Sequence, residues 1–592
     1  MIKLSDFIAK RLKEVYHIRH LFMVSGGGAM HLNDSFGKYI PYICNHHEQA
    51  CAIGAEGYAR LHQELAVVNV TTGPGGLNCL NGVFGQWTDS VPVLYISGQV
   101  KQSTTLASCP NLPLRQLGDQ EVDIISCVKP LTKYAVTLAD AHDVEYVLDK
   151  AVYLATHGRP GPVWIDVPLN LQAALIDETA LRKYNFKEDE LVLPSDEKEW
   201  FALTNEWHRA RRPVIIAGHG ITLAKAKREF LELVKKLNVP IVTTMNGFDT
   251  VAQDNENFVA RIGTVANRAG NFALQNADFV LSIGSRNNIR QVSYNWENFA
   301  KNAVLASIDI DKAELDKPTV KPTIKIHSDV KTFLQKALTI LPPSDCPKWR
   351  AFCRQLKEKY PPLTEAPRVG HHPIEPYYFI KKLTEQFSEN EVVVGSNGTA
   401  FLLPFQVGKV KKNQRYIWNS GDASMGYGLP AAIGACFAND KRRTVCLEGD
   451  GSIMMNVQEL QTLKHYDLPV KLFVLNNNGY ISIQQTQKNF FDGRMTACTV
   501  ETGVSCPDYI KLGNAFGLKT VKIDNLKNLE EQIRKVLETP GPVLCEVMLT
   551  PGYTFAPKLS ARKLPDGTMI SPSLEDMYPF LDRKEMKENT IK

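Results

Sequence analysis

Apolar residues along this chain fall into two patterns. Short continuous runs (66–70, 93–97, 163–167, 213–217, 279–283 and 472–475) are apolar at nearly every position, as in strands buried on both faces. Between them, apolar residues recur every three or four positions, as on one face of a helix. Alternation of the two predicts an α/β protein with open parallel sheets. The runs gather into three groups, at residues 1–180, 195–345 and 376–550. The middle group holds runs at 213–217, 240–244, 279–283 and 303–310. The acidic stretch KEDELVLPSDEKEW and a Pro- and charge-rich segment at 341–373 read as separators, and 551–592 reads as a C-terminal arm. At the start, Leu4, Phe7, Ile8 and Leu12 make one face of an amphipathic surface helix, interrupted by charge as a signal peptide is not.

Length and composition narrow the class. A chain of 592 residues is too long for one core, and about three domains is the natural expectation. The formal charge of +5 is small for that length, and opposite charges are interspersed, which argues against nucleic-acid binding. No apolar run approaches membrane-spanning length. The twelve cysteines are scattered, several of them in apolar segments (Cys127, Cys436, Cys446, Cys545), as expected of reduced thiols in a cytoplasmic protein.

The most informative stretch is TVCLEGDGSIMMNVQELQTLKHYDLPVKLFVLNNNGY. An apolar run ends at Gly449-Asp450-Gly451, a helical pattern follows over 455–466, and a second apolar run ends at Asn476-Asn477. A right-handed crossover of this length puts Asp450 and Asn477 at one carboxyl edge of a parallel sheet. A carboxylate and an amide oxygen there suit Mg²⁺, which prefers oxygen ligands and keeps phosphate in its shell. Gly451 and Ser452 let backbone N–H groups approach the same phosphate.

This pairing resembles the metal–diphosphate motif of the thiamine diphosphate enzymes. The resemblance implies Mg²⁺ ligation by Asp450, Asn477 and the Gly479 carbonyl, with Gly398 and Thr399 also at the diphosphate. It is carried further by His47-Glu48-Gln49 and by Ala55-Glu56-Gly57-Tyr58-Ala59-Arg60. In that family such a glutamate shares a proton with the cofactor's aminopyrimidine and so activates its thiazolium carbon; a carboxyl buried among apolar neighbours stays protonated more easily. Gly73 to Asn78 resembles a glycine loop of the family, and Ser25 to Ala29, with Gly27, a turn near the reacting carbon. The resemblance also implies roles for Gln120 and for Met425, the latter wedged under a bent cofactor. His31 is a candidate to handle protons or orient a substrate.

The middle group resembles the flavin-binding segments of acetolactate synthases. The matching positions are Gly218, Thr244, Met245, Gly263, Thr264, Gly284, Arg286, Arg290, Asp309 and Asp329, with Arg159 from the first group. They imply a structural FAD, because carbon–carbon ligation moves no net electrons. Three domains result: pyrimidine-binding, central FAD-type and diphosphate-binding. Active sites are expected at the interface of a homodimer or homotetramer.

The match breaks at two substrate-side positions. Leu169 stands where the family has Lys, and Thr486 where a Trp helps select a 2-oxo acid acceptor. The segments GGGAMH and YISIQQTQKNFF look more like the branch that transfers acetyl units to keto-sugar nucleotides. The resulting expectation is a Mg²⁺-dependent carboligase that decarboxylates a 2-oxo acid, pyruvate first among them, and transfers the two-carbon unit to a second carbonyl. Acetolactate synthase proper and a non-ligating decarboxylase are the alternatives. A non-catalytic protein is disfavoured by intact Glu48 and metal ligands. Residues 563–569 are read as a lid over the site or as a packing arm.

Overall fold

The computed structural model describes residues 1–195, 197–363, 373–563, 566 and 568–591. Within these residues the chain builds three six-stranded, wholly parallel sheets, each flanked by helices. The first runs, edge to edge, Tyr42–Cys44, Leu21–Met23, Ala66–Val70, Val93–Gln99, Val163–Pro168, Tyr134–Thr137. The second runs Phe258–Arg261, Ile241–Thr243, Pro213–Ala217, Phe279–Ile283, Val304–Asp309, Ile324–His327. The third runs Arg415–Ile417, Val392–Gly395, Thr444–Gly449, Val470–Asn476, Val543–Met548, Lys519–Ile523.

Counted in chain order within each sheet, the first and third share the order 2-1-3-4-6-5, whereas the middle sheet is 3-2-1-4-5-6. The middle order is that of dinucleotide-binding folds. In open parallel sheets ligands bind beyond the carboxyl ends of the two strands where the order reverses. In each sheet those strands lead into a glycine turn singled out from the sequence. They lead to Ser25–Gly28 and Gly73 in the first, Gly218 and Gly284 in the second, and Gly398 and Gly449–Gly451 in the third.

The first and third units pack through two helices, Glu48–His62 and Gly428–Ala438. A Cβ on Gly434 would lie 1.8 Å from the Gly54 carbonyl oxygen, and one on Gly57 2.1 Å from that of Ala431. These glycines let two backbones touch, and the small Ala52, Ala55 and Ala59 are buried beside them. The amino-terminal helix, Leu4–Glu14, buries Leu4, Phe7, Ile8 and Leu12 as its pattern predicts.

Several local expectations are corrected. The helix expected over 455–466 is two short helices, Asp450–Ile453 and Glu459–His465. The break holds Asn456, whose buried amide donates to the Gly426 carbonyl (2.8 Å) instead of facing solvent on a continuous helix. The separator at 341–373 contains the helix Pro347–Lys359, and its Trp349, Cys353 and Leu356 join the middle core. From the carboxyl-terminal arm, Leu574 also enters that core, with Leu581, Met586 and Ile591 against it. Cys127 is exposed, although its neighbours are apolar; all twelve cysteines are free thiols. Of the lid segment, Leu564, Pro565 and Gly567 lie outside the described residues. No helix among the described residues is long and apolar enough to cross a membrane.

Candidate active site

The end expected to take a diphosphate is built by the turn after Thr444–Gly449 and the turn after Val470–Asn476. Asp450 is 2 % exposed and Asn477 4 %. One Asp450 oxygen accepts from Gly451 N (2.8 Å) and Asn477 Nδ2 (3.0 Å), the other from Asn477 N (3.1 Å) and Gly479 N (3.0 Å). Burial nevertheless holds this carboxyl above its ordinary value, outweighing the four N–H donors. Among the described residues no Lys or Arg forms an ion pair with it. Asn477 Nδ2 also donates to the Gly479 carbonyl (3.2 Å), while Asn477 Oδ1 is buried and unpartnered.

This arrangement fits a magnesium ion. Turning the Asn477 amide over brings its orphaned oxygen beside the Asp450 oxygen and the Gly479 carbonyl, at the 3.0 and 3.2 Å now spanned by Nδ2. Octahedral Mg²⁺ places neighbouring ligand oxygens about 3 Å apart. Gly479 has φ +121°, and a Cβ there would lie 2.5 Å from the Cys498 carbonyl oxygen, so only glycine turns this carbonyl inward.

The surrounding turns lock together. Ser452 Oγ meets Ser396 Oγ (2.9 Å) and accepts from Gly426 N (2.8 Å), tying the loop that carries Met425 to the GDG turn. Met425 is half-buried between the buried Ser424 and Gly426, so it is not a plain core residue. Gly398 has φ +54°, and the Thr399 hydroxyl is bonded to the Tyr553 hydroxyl. Gly449, at the strand end, N-caps the short helix that begins with Asp450.

Glu48 opens the helix Glu48–His62, with His47 as N-cap accepting from Gln49 N (3.1 Å). Asn78 Nδ2 donates to Glu48 Oε2 (2.9 Å), so the glycine loop and the glutamate meet. Glu48 is half-buried and has this polar partner, contrary to the expectation of a carboxyl enclosed by apolar groups. A helix start at a sheet edge is open on one side within a single chain. Gly73 (φ +63°) packs on the Gln120 carbonyl, 2.0 Å from an ideal Cβ, which brings Gln120 to the same loop. Gln120 has φ 60° and an exposed side chain. Gly26 and Gly28 abut Thr71 and Thr72, whereas a Cβ on Gly27 would meet nothing within 4 Å. His31 is half-buried in the first turn of Met30–Tyr39.

The flavin-type positions converge on a cavity of ≈ 380 Å³ between the three units. Arg159, Thr244, Met245, Gly263, Thr264, Gly284, Arg286, Arg290, Asp309 and Asp329 all line it. Its size is that of a cofactor pocket. Gly218 does not line it: its Cβ would strike the Gly284 carbonyl oxygen at 2.2 Å, so backbone packing requires that glycine. Arg159 bridges Asp311 (2.8 Å) and Glu314 (2.9 Å), joining the first unit to the second across the cavity rim. Burial raises the Asp309 carboxyl to about 6.

Sequence reasoning missed the buried carboxylates between the first and third units. Glu459 accepts from Asn45 Nδ2 (2.8 Å) and His46 N (2.9 Å), fixing the segment before Glu48. Glu56 and Asp89 share Arg60 (2.8 and 2.9 Å), and Tyr427 donates to Glu56 (3.1 Å). Their only sequence signal is a charge inside a small-residue or apolar helix, which does not by itself reveal burial. Asp89 is pushed up by burial, but Arg60 and Arg286 outweigh this and leave it below its ordinary value. For Glu56 burial wins over Arg60, with Asp89 adding to it, and the carboxyl rises to about 7. Folded protein therefore holds more protons at Glu56 than unfolded chain between pH 4.5 and about 7, so its contribution to stability is lost as pH rises through that window. The melting temperature of wild type relative to Glu56→Gln is expected to fall from pH 4.5 to 7, as thermal unfolding at a series of pH values will show.

Comparisons with known proteins agree with this geometry. The thiamine pyrophosphate enzyme N-terminal TPP binding domain matches residues 2–126, the central domain 205–337 and the C-terminal TPP binding domain 397–547. The acetolactate synthase large subunit of Lactococcus lactis is 33% identical over 563 residues, 94% of each chain. That of Cyanidium caldarium is 27% identical over 583 residues, covering 95% of this chain and 96% of its own. A probable acetolactate synthase large subunit of Methanocaldococcus jannaschii is 29% identical over 572 residues, covering 93% and 92%. With three matched domains in order and near full-length similarity, the chain belongs to the thiamine pyrophosphate enzymes, in the acetolactate synthase family.

Proposed function

We propose that this carboligase decarboxylates a 2-oxo acid, pyruvate first among candidates, and joins the remaining two-carbon unit to a second carbonyl compound. Asp450, Asn477 and the Gly479 carbonyl would hold Mg²⁺ and, through it, the diphosphate of thiamine diphosphate. When bound, that cofactor supplies an electron sink that lets the carboxyl group leave as carbon dioxide. Glu48 holds a proton at the aminopyrimidine, and Asn78 orients the Glu48 carboxyl through its 2.9 Å bond. Ser452 would present its backbone to the diphosphate, the Gly451 N–H being held by Asp450, and Met425 would support the cofactor from its clamped loop. The central cavity would take FAD in a structural role. Because Glu48 is open on one side, a second copy of the chain is expected to close the site.

The single observation that carries this reading is the orphaned oxygen of the Asn477 amide, whose nitrogen lies between the buried Asp450 carboxylate and the Gly479 carbonyl, next to the switch point of the third sheet. The names of the relatives favour acetolactate synthase proper. Against a strict 2-oxo acid acceptor stands Thr486, exposed on the wall of a cavity beside Gly398. Carbon dioxide release from pyruvate is the test. It is expected only when thiamine diphosphate and Mg²⁺ are both present; release without either, or none with both, overturns the reading.

A further inference from the structure

A third cavity, of ≈ 400 Å³, begins at the candidate diphosphate turn, where Asn397, Gly398 and Ala423 form one wall. Its other walls come from the helix Ile481–Phe490, from the middle unit and from the arm at Phe555–Ala561. Two cations, Lys558 and Arg290, line it, and among the described lining residues there is no carboxylate. The rest of the wall mixes hydrogen-bonding side chains, Gln485 and Thr486 among them, with apolar ones such as Phe490 and Leu559.

Lys558 is held in place from several directions. Its backbone N–H donates to the Tyr578 carbonyl (3.0 Å), and its carbonyl accepts from Tyr578 N (2.7 Å). Its ammonium donates to Gln485 Oε1 (3.1 Å), and the Gln485 amide is itself fixed by Phe555 N and the Tyr553 carbonyl. A neutral amide oxygen satisfies one of three N–H bonds and none of the charge. Burial holds this ammonium below its ordinary value with no compensating acid among the described residues. Arg290, over the Phe401 ring (5.6 Å), shares the cavity and is also pulled down, chiefly by burial.

We propose that Lys558 anchors the acceptor: the second carbonyl substrate carries an oxyanion, phosphate or carboxylate, remote from its carbonyl, and Lys558 binds it in this cavity. The inference rests on the two-substrate reading above. The donor's carboxylate is the weaker claimant. A cation paired with the group that must leave as neutral carbon dioxide stabilises the ground state and slows the reaction. A three-carbon acid also leaves most of a cavity this large unfilled.

Calorimetric titration of the full-length protein, loaded with thiamine diphosphate and Mg²⁺, separates charge recognition from catalysis. The probes are unreactive: glycerol 3-phosphate against glycerol, and 4-hydroxybutyrate against 1,4-butanediol. One anion is expected to bind about tenfold or more tighter than its neutral partner, the usual scale of a charge-assisted bond. Which pair shows the difference tells phosphate from carboxylate. The preference should collapse in Lys558→Met and partly return in Lys558→Arg. Lys558→Gln, which retains a donor to Gln485, replaces the first variant if that does not fold. Equal binding of anion and neutral partner, no binding by either anion, or a preference that survives loss of the charge overturns the proposal. Because none of these readouts needs turnover, failure of pyruvate as donor would show separately, as absent carbon dioxide release in wild type.

Discussion

Asp450→Ala will weaken binding of thiamine diphosphate at fixed Mg²⁺ by at least about a hundredfold, since losing even an outer partner of a metal ligand costs 10- to 100-fold. The same change will lower the melting temperature. Asp450 accepts from Gly451 N, Asn477 N and Gly479 N, and removing it leaves buried N–H groups unpaired, at about 1–3 kcal/mol each. The two effects are separable by titrating Mg²⁺. Carbon dioxide release should recover toward wild type at high metal concentration, whereas the melting temperature of the metal-free variant should stay low. Wild-type affinity in Asp450→Ala would remove this carboxylate from the metal site.

Glu48→Gln is expected to act on rate and not on assembly. The glutamine can still accept from Asn78, and at the start of a helix the lost charge–dipole interaction costs only about 0.3–1 kcal/mol. Thiamine diphosphate affinity should therefore change little. The turnover rate should drop by about 10²- to 10⁴-fold, the range for losing a positioned acid–base group. Titration of the cofactor and carbon dioxide release, measured on one preparation, check both halves. A variant that loses affinity and keeps rate would make Glu48 a binding residue only.

Much of this was legible in the chain because local patterns have long-range consequences in parallel sheets. Apolar runs ending in glycine turns mark strand ends, and the handedness of crossovers puts those ends on one edge. Asp450 and Asn477 could thus be paired across 27 residues, and the structure joins them by two hydrogen bonds. All the flavin-type positions but Gly218 line one cavity, because 3-2-1-4-5-6 topology opens a crevice between the strands followed by Gly218 and Gly284. Gly218 shows the limit: a glycine beside a ligand and a glycine beside another backbone read alike in sequence, and only the Gly284 contact tells them apart.

What was not legible depends on partners far away in the chain. Burial of Glu56, Asp89 and Glu459 follows from the docking of the first unit on the third, which no local pattern encodes. The role given to Lys558 depends on an arm returning to the helix Ile481–Phe490, 68 to 73 residues away along the Gln485 hydrogen bonds. The helix break at Asn456 has the same origin, a side chain diverted to Gly426 thirty residues earlier.

Carbon–carbon bond formation is the central claim, and uniformly ¹³C-labelled pyruvate tests it most directly, with product masses read alongside labelled carbon dioxide. The account predicts a product that carries an added labelled two-carbon unit, in an amount matching the carbon dioxide released. Free acetaldehyde equal to the carbon dioxide, with no ligated product from pyruvate alone or with phosphorylated or carboxylated aldehydes, would contradict it.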